Sequence, residues 1–500
     1  MTKIKPERVV IVDIDGLRPE VYFNILKQGN APNLLRIMRS GTHSTAQHVR
    51  ALSTAPSVTF ASQASIFTGA HPADHRIAGN ECFDRLGFIS KGKPRHFGFD
   101  VGDTLAVDDA IAVFGDGLAD RLLNPETPTI YESAAERGKT SLVAYNMYAR
   151  GAEHVARPSL IDIGRFTKGK GSLGLEAGAY DAKMLDDLEA LLRKAQPKPD
   201  LITAYFMGLD HHSHLHGPAS QADYLADIVD PQIGRLLDLL EELNLFDGTL
   251  FVLVSDHGQI ETPGDDAHSI RLGFPFDMEL SPLFTALGLD LHDRPGEDPK
   301  VDAVVGLNGG LAHVYLRHRE DDWAAFPRYE DDVLRVAEAF REMTEQGKYR
   351  SELKGTIELI LVRDAESAGD WRAGYRAYLG DGITQPFSEW LADHPTLPYA
   401  DADNRVRLVN SSMSGDLILA ARASKGVYFG GEGLRGVHGS LLTGDSEVVL
   451  SFALPGGVED DIASLHNQVD GIIEARCAAE GDRQPSVADM GAVLRGIWLD

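Results

Sequence analysis

Residues 8–16, RVVIVDIDG, decide the reading of this chain. The stretch is almost continuously apolar and β-branched, and it closes on Asp-Gly. A strand buried on both faces of a parallel sheet and ending in a functional loop reads this way. Four runs of the same character follow: TSLVAYN (140–146), DLITAYFMGLD (200–210), GTLFVLVSD (248–256) and SEVVLSFALP (446–455). Helical segments lie between them. They include PNLLRIMR (32–39), a helix opening at Thr59 and halted by Gly69 and Pro72, and residues 222–243, where Pro231 predicts a kink or a break. Strands alternating with helices predict an α/β fold, with a mostly parallel central sheet flanked by helices.

Three of these strands end in residues with chemistry: Asp15, Asp210, and the pair Asp256-His257. Ligands of open α/β sheets gather at the carboxyl edge, so the three ends predict one shared site. Asp210 and His214 stand four apart and face the same way on one helical turn, which gives two ligands on a rigid element. His438, in the Gly-flanked turn GVHG, completes a first set. Asp256 and His257 reach a second ion from an irregular loop that Gly258 permits, and Asp15 completes that set. Carboxylate and imidazole ligands, with a position left open for substrate, suit zinc-like ions. Thr59 opens a helix whose start favours a phosphoryl group, and it approaches the second set as a nucleophile. Two divalent ions clamping an in-line displacement at phosphorus are therefore expected, Zn2+ first and Mn2+ as the alternative at an oxygen-rich site. Asp13 alternates with Asp15 along the strand and reads as structural. His211 and His212 lie off the ligand spacing, and His71, His75 and His216 read as turn or supporting residues.

The bulk of the chain limits its partners. Five hundred residues, 43% of them hydrophobic, can bury a large core. A net charge of −27 and a pI near 5.0 argue against a nucleic-acid polymer as partner. A small phosphate ester, the partner expected from the site, would need local positive charge there to offset the global field. Cys82 and Cys477 cannot build a disulfide framework and read as idle thiols. No signal-peptide pattern and no apolar run of ~18 residues is seen, so the expectation is a cytoplasmic chain with no membrane partner. Residues 1–265 and 431–500 form the expected catalytic core, with an insertion at 81–126. Residues 266–430 are expected to form an inserted cap or substrate lobe of Pro/Gly-rich loops and helices such as DDVLRVAEAFREM.

Together these segments resemble the alkaline phosphatase superfamily, and most closely its nucleotide pyrophosphatase/phosphodiesterase branch. The resemblance spans roughly 8–80, 140–260 and 434–500. It implies two zinc ions, one held by Asp210, His214 and His438, the other by Asp15, Asp256 and His257, with Thr59 bridging to the second ion as the attacking group. The stretch TGAHPADHRIAGN matches the family's pattern after the nucleophile, so Asn80 is implied as the donor to a phosphoryl oxygen. Phe60 and Tyr205 occupy the positions implied to stack a nucleotide base. The family's Lys-Thr-Phe-Pro-Asn-His is replaced here by Val58-Thr59-Phe60-Ala61-Ser62-Gln63, which leaves substrate preference open.

The leading expectation is a metal-dependent hydrolase of phosphodiesters or pyrophosphates, nucleotides included, working through a covalent phosphothreonine. The alternatives are a phosphomonoesterase or a carbon–phosphorus hydrolase resembling phosphonoacetate hydrolase, and, from another class, a phosphate-binding protein without turnover. A serine-using mutase fits poorly with threonine at 59, and no Cys/Ser-x-Pro-x-Arg segment marks a sulfatase.

Overall fold

The computed structural model describes residues 4–40, 43–99, 107–168, 175–272, 278–292, 295–297, 300–431 and 433–500. Residues 100–106, in the expected 81–126 insertion, and 273–277, 293–294 and 298–299, in the expected 266–430 lobe, lie outside the described set.

The strand read first, β1 (Arg8–Ile14), lies at the centre of a seven-stranded sheet. The other members are β2 (Ala46–Leu52), β3 (Ser141–Ala144), β4 (His154–Ala156), β5 (Leu201–Phe206), β6 (Thr249–Val254) and β7 (Glu447–Ala453). Their order across the sheet is β2-β7-β6-β1-β5-β3-β4. β1 pairs in parallel with β5 and β6, and β3 and β4 continue the parallel set. β7 runs antiparallel to both β6 and β2, so the sheet is mixed. The apolar runs are explained by burial on both faces. Val9, Val10 and Ile11 are fully buried, and each such side chain stabilises the fold by about 1.5–3 kcal/mol relative to exposure. β2 escapes the sequence reading because AQHVRAL alternates polar and apolar residues, as suits its place at one end of the sheet.

The helices follow the reading closely. α1 (Thr59–Thr68) begins at Thr59 and ends at Gly69, and Pro32–Met38 matches the second helical run. α2 (Gly208–His216) follows β5 after a single residue. At Pro231 the expected break takes a specific form. Residues Leu225–Val229 widen into a π-helical turn, and Pro231 sits in the first turn of the following helix, Asp230–Glu242, where its missing N–H costs little.

Residues 266–430 differ from expectation. In place of loops and helices alone, they contribute a second seven-stranded sheet, drawn from strands between Leu291 and Ala421 and almost wholly antiparallel. One face of this sheet has its own apolar cluster, with Val305, Val314, Phe340, Val362 and Leu419, while Leu359, Leu361, Ile418 and Ala420 on the other face belong to the cluster around the first sheet. The hairpin Ala303–Asn308/Leu311–Leu316 turns at Gly309-Gly310, and its tip reaches the His438 turn, where the Gly310 N–H donates to the His438 carbonyl at 2.9 Å. A small sheet of Glu81–Asp84, Arg95–Gly98 and Gly296–Glu297 joins the first insertion to this region. Both cysteines are buried and free. Among the described residues, no helix is long and apolar enough to cross a membrane.

Candidate active site

β1, β5 and β6 point their carboxyl ends to one place because parallel strands share that edge. Asp15 and Asp256 follow their strands closely, while Asp210 stands in the first turn of α2, past the end of β5 at Phe206. The turn after β1 passes very close to α2. Gly16 adopts φ +69°, and a β-carbon there would come within 2.7 Å of Asp210 Oδ1, so only glycine fits. Its N–H donates to Asp256 Oδ1 at 3.1 Å, which ties the first strand end to the third.

Two groups of side chains able to hold a cation adjoin here. The first is Asp210, His214 and His438, and the second brings Asp15 and His257 together with Asp210. His214 Nε2 lies 3.0 Å from Asp210 Oδ2, and His438 Nε2 lies 4.0 Å from Asp210 Oδ1. His257 Nε2 lies 3.3 Å from Asp15 Oδ1 and 3.5 Å from Asp256 Oδ2. The rings of His257 and His438 stack at 3.7 Å, so the groups are neighbours. The six residues expected as ligands are thus brought together, and Asp210 faces both groups.

The histidines are turned by their second nitrogens. His214, His257 and His438 each place Nδ1 against a backbone carbonyl, of Gly436 at 2.6 Å, Gly258 at 2.9 Å and Ser57 at 3.0 Å. A carbonyl only accepts, so Nδ1 carries the proton and each Nε2 presents a lone pair to the site. The chemistry of the group then fits divalent cations. Asp15 Oδ1 and Asp256 Oδ2 are buried carboxylate oxygens without a hydrogen-bond partner, facing those lone pairs. Burial, and then repulsion from Asp256, holds the Asp15 carboxyl well above the usual range, and burial raises Asp256 as well. Against the upward push of burial, the imidazoles of His214 and His438, in their protonated forms, hold Asp210 far below it. Unpaired buried carboxylates are costly, and a cation is the partner that removes the cost.

Thr59 is the first residue of α1, and its Oγ1 lies 3.1 Å from His257 Nε2. Asn80 sits beside it. Its Oδ1 accepts from the Phe60 N–H at 2.9 Å, which leaves the amide NH2 as a donor.

Two expectations are corrected here. Tyr205 is fully buried on β5, and its hydroxyl donates to Asp15 Oδ2, so it orients a carboxylate and offers no face to a base. Phe60 is 5% exposed, and its ring stacks on Phe99 at 4.7 Å, so its platform is already covered from within the chain. Both aromatics became part of the packing because each lies on a regular element whose side chains turn inward.

The other histidines stay outside the two groups. His211 packs on Phe166, while His212 lies against His216 and Tyr224. His75 is buried on Ser65, and His71 pairs with Glu480. Asp13 accepts from Gln63 and Asn146. Gln259, which the sequence reading passed over, donates to Asp210 Oδ1 from the loop carrying Asp256 and His257. Its position three residues past Asp256 was the only available signal.

Comparison with known proteins gives the family and the fold. A family model described as type I phosphodiesterase / nucleotide pyrophosphatase matches residues 9–430. A pyrophosphatase/phosphodiesterase of Schizosaccharomyces pombe, itself named uncharacterized, is 23% identical over 282 residues, covering 55% of this chain and 49% of its own. Human ectonucleotide pyrophosphatase/phosphodiesterase family member 1 is 25% identical over 256 residues, covering 50% of this chain and 23% of its own. The match therefore spans about half, or less, of the length of these curated relatives. Murine ectonucleotide pyrophosphatase/phosphodiesterase 5 shares the fold at TM-score 0.50 and 14% identity, covering 89% of this chain and 87% of its own. An inactive variant of that murine protein, in complex with AMP, aligns at TM-score 0.51 and 13% identity, covering 90% and 88%.

Proposed function

The chain belongs to the type I phosphodiesterase / nucleotide pyrophosphatase family, and on that premise we propose that it hydrolyses a phosphodiester or pyrophosphate bond of a small phosphate ester through Thr59. One observation carries the proposal: the Thr59 hydroxyl stands 3.1 Å from His257 Nε2, at the junction of two groups of carboxylates and imidazoles.

Asp210, His214 and His438 would hold one divalent ion, and Asp15, Asp256 and His257 a second. Bound there, the ions supply Lewis-acid stabilisation of phosphoryl charge and lower the pKa of the threonine hydroxyl. The residues of the chain do the rest. The start of α1 presents its positive dipole end to an incoming phosphoryl group. Oγ1 of Thr59 gives up its proton to solvent water and bonds to phosphorus. The leaving oxygen departs with the bonding electron pair and takes up a proton from water, which produces a phosphothreonine ester and the first product. The Asn80 amide, held by the Phe60 N–H, donates to a phosphoryl oxygen as charge builds on it. Attack of water on phosphorus then breaks the bond to Oγ1 and restores the hydroxyl. We take residues 81–126 and 266–430 as insertions into the catalytic core that wall its substrate side.

The AMP bound by the murine relative and the nucleotide in the family's description support a nucleotide as one substrate. The covered Phe60 favours a second reading, a monoester or phosphonate with no base to stack. The test is a paired assay on metal-loaded protein, comparing kcat/KM for p-nitrophenyl thymidine 5′-phosphate and for p-nitrophenyl phosphate, with metal content by elemental analysis. Diester preference with about two metals per chain is expected on the two-ion logic. Monoester preference would replace the diesterase reading with the second one.

A further inference from the structure

Asn80 lies on the loop between the short helix Pro72–His75 and the strand Glu81–Asp84, and loop residues aim a donor well only when something rigid holds them. Here the holder comes from the second sheet. Asn308, 2% exposed, ends the strand Ala303–Asn308 and sits at the hairpin tip. Its Oδ1 accepts from the Glu81 N–H at 3.0 Å, and its Nδ2 donates to the Glu81 carbonyl at 2.9 Å. One side chain thus satisfies both backbone groups of the residue after Asn80, as a paired strand would. Nδ2 also donates to the Gly306 carbonyl at 3.3 Å, which fixes the amide to its own strand.

The fit is tight and redundant. A β-carbon on Gly79 would fall 2.3 Å from Asn308 Oδ1, so the segment before Asn80 also lies directly on this amide. The Leu307 N–H donates to the Glu81 carboxylate at 2.9 Å, and the Asn80 carbonyl accepts from the Phe99 N–H at 2.9 Å. With its main chain held on both sides and Oδ1 taken by Phe60, Asn80 keeps one free role, donation from its amide NH2.

We infer that Asn308 is a positioning residue for the reaction, through which the second sheet holds Asn80 where its amide meets the phosphoryl oxygen in the transition state. The inference rests on the role proposed for Asn80. It gives the second sheet a part in turnover beyond shaping the pocket.

The experiment is a double-mutant cycle on the full-length, metal-loaded protein with bis(p-nitrophenyl) phosphate. Asn308→Asp keeps the size and one acceptor of the side chain but turns the Nδ2 donor into a second acceptor facing the Glu81 carbonyl. Alone, it is expected to lower kcat by about 10–100-fold, the cost of a donor displaced by a fraction of an ångström to about 1 Å, with KM within about twofold. Placed on Asn80→Ala, it is expected to change kcat by less than about twofold, because the group it positions is gone. Multiplication of the two losses in the double variant overturns the inference, as does unchanged kcat in Asn308→Asp. If Asn80→Ala itself leaves kcat unchanged, the role of Asn80 falls first and the inference with it, and that result is distinct from either of the others. Melting curves and metal content show whether Asn308→Asp stays folded. If it does not, the same cycle is read with Asn308→Ser.

Discussion

The two ligand groups at the sheet edge are neighbours, but they meet solvent differently. In the group of Asp210, His214 and His438 the side chains are 12%, 21% and 9% exposed, while Asp15, Asp256 and His257 are 2% or less. The open group has His214 at the rim, where a leaving oxygen or a water can reach it. The sealed group holds the two unpartnered carboxylate oxygens and the imidazole against Thr59. On the proposed mechanism this difference in exposure would divide the work. Nucleophile activation would fall in the dry interior, where electrostatic interactions are strongest, and exchange of product and water at the surface.

The largest effect expected from this division is at its centre. Thr59→Ala should lower kcat on bis(p-nitrophenyl) phosphate by more than about 100-fold while leaving metal content unchanged, because it removes the nucleophile and leaves the carboxylate and imidazole ligands in place. Activity above a hundredth of wild type would remove Thr59 from the mechanism. Next come the ligands themselves. Asp15→Asn takes an acceptor from the sealed group, where water cannot replace it, and should lose about one metal per chain by elemental analysis. His214→Ala, at the open rim, leaves room for water and should weaken binding yet retain metal at saturating concentration. Equal losses from the two variants would erase the distinction between the groups.

Smaller effects sharpen the same comparison. Tyr205→Phe removes the hydroxyl that orients Asp15 and should weaken metal binding by about 10–100-fold in a chelator competition, the usual cost of such an outer partner. Thermal stability should change little, since the ring stays buried. An unchanged affinity would make Tyr205 a packing residue only. The smallest expected change is at Phe60. Because Phe99 covers its ring, Phe60→Leu should alter kcat/KM for p-nitrophenyl thymidine 5′-phosphate and for methyl p-nitrophenyl phosphate by the same factor, within about threefold, a base stack being worth ~1–3 kcal/mol where one exists. A selective loss on the thymidine ester would restore Phe60 as a base platform.

The first sheet was legible because its central strands are buried on both faces and so appear as unbroken apolar runs. Three of them also end in Asp, where a parallel sheet places its ligands. Two residues four apart on α2, and a histidine in a Gly-flanked turn, were enough to assemble the first group. The second sheet had neither advantage. Its strand Leu311–Leu316 pairs with Leu417–Ala421, about a hundred residues further on, and LILAA, short and alanine-rich, carries little strand signal. The Gly309-Gly310 pair between two apolar runs was a visible hairpin signal, but no chemistry at the strand ends drew attention to it. The partners that aim the site are of the same kind. Tyr205, Gln259 and Asn308 act through contacts across 190, 49 and 227 residues, and no spacing rule spans such distances.

The covalent step through Thr59 can be tested most directly by the stereochemical course at phosphorus. Hydrolysis of a chiral phosphorothioate diester in 18O-labelled water separates two displacements from one. Attack by Thr59 followed by attack by water inverts phosphorus twice, so the account predicts net retention of configuration. Net inversion would mean that water attacks the substrate directly and that no phosphothreonine lies on the path.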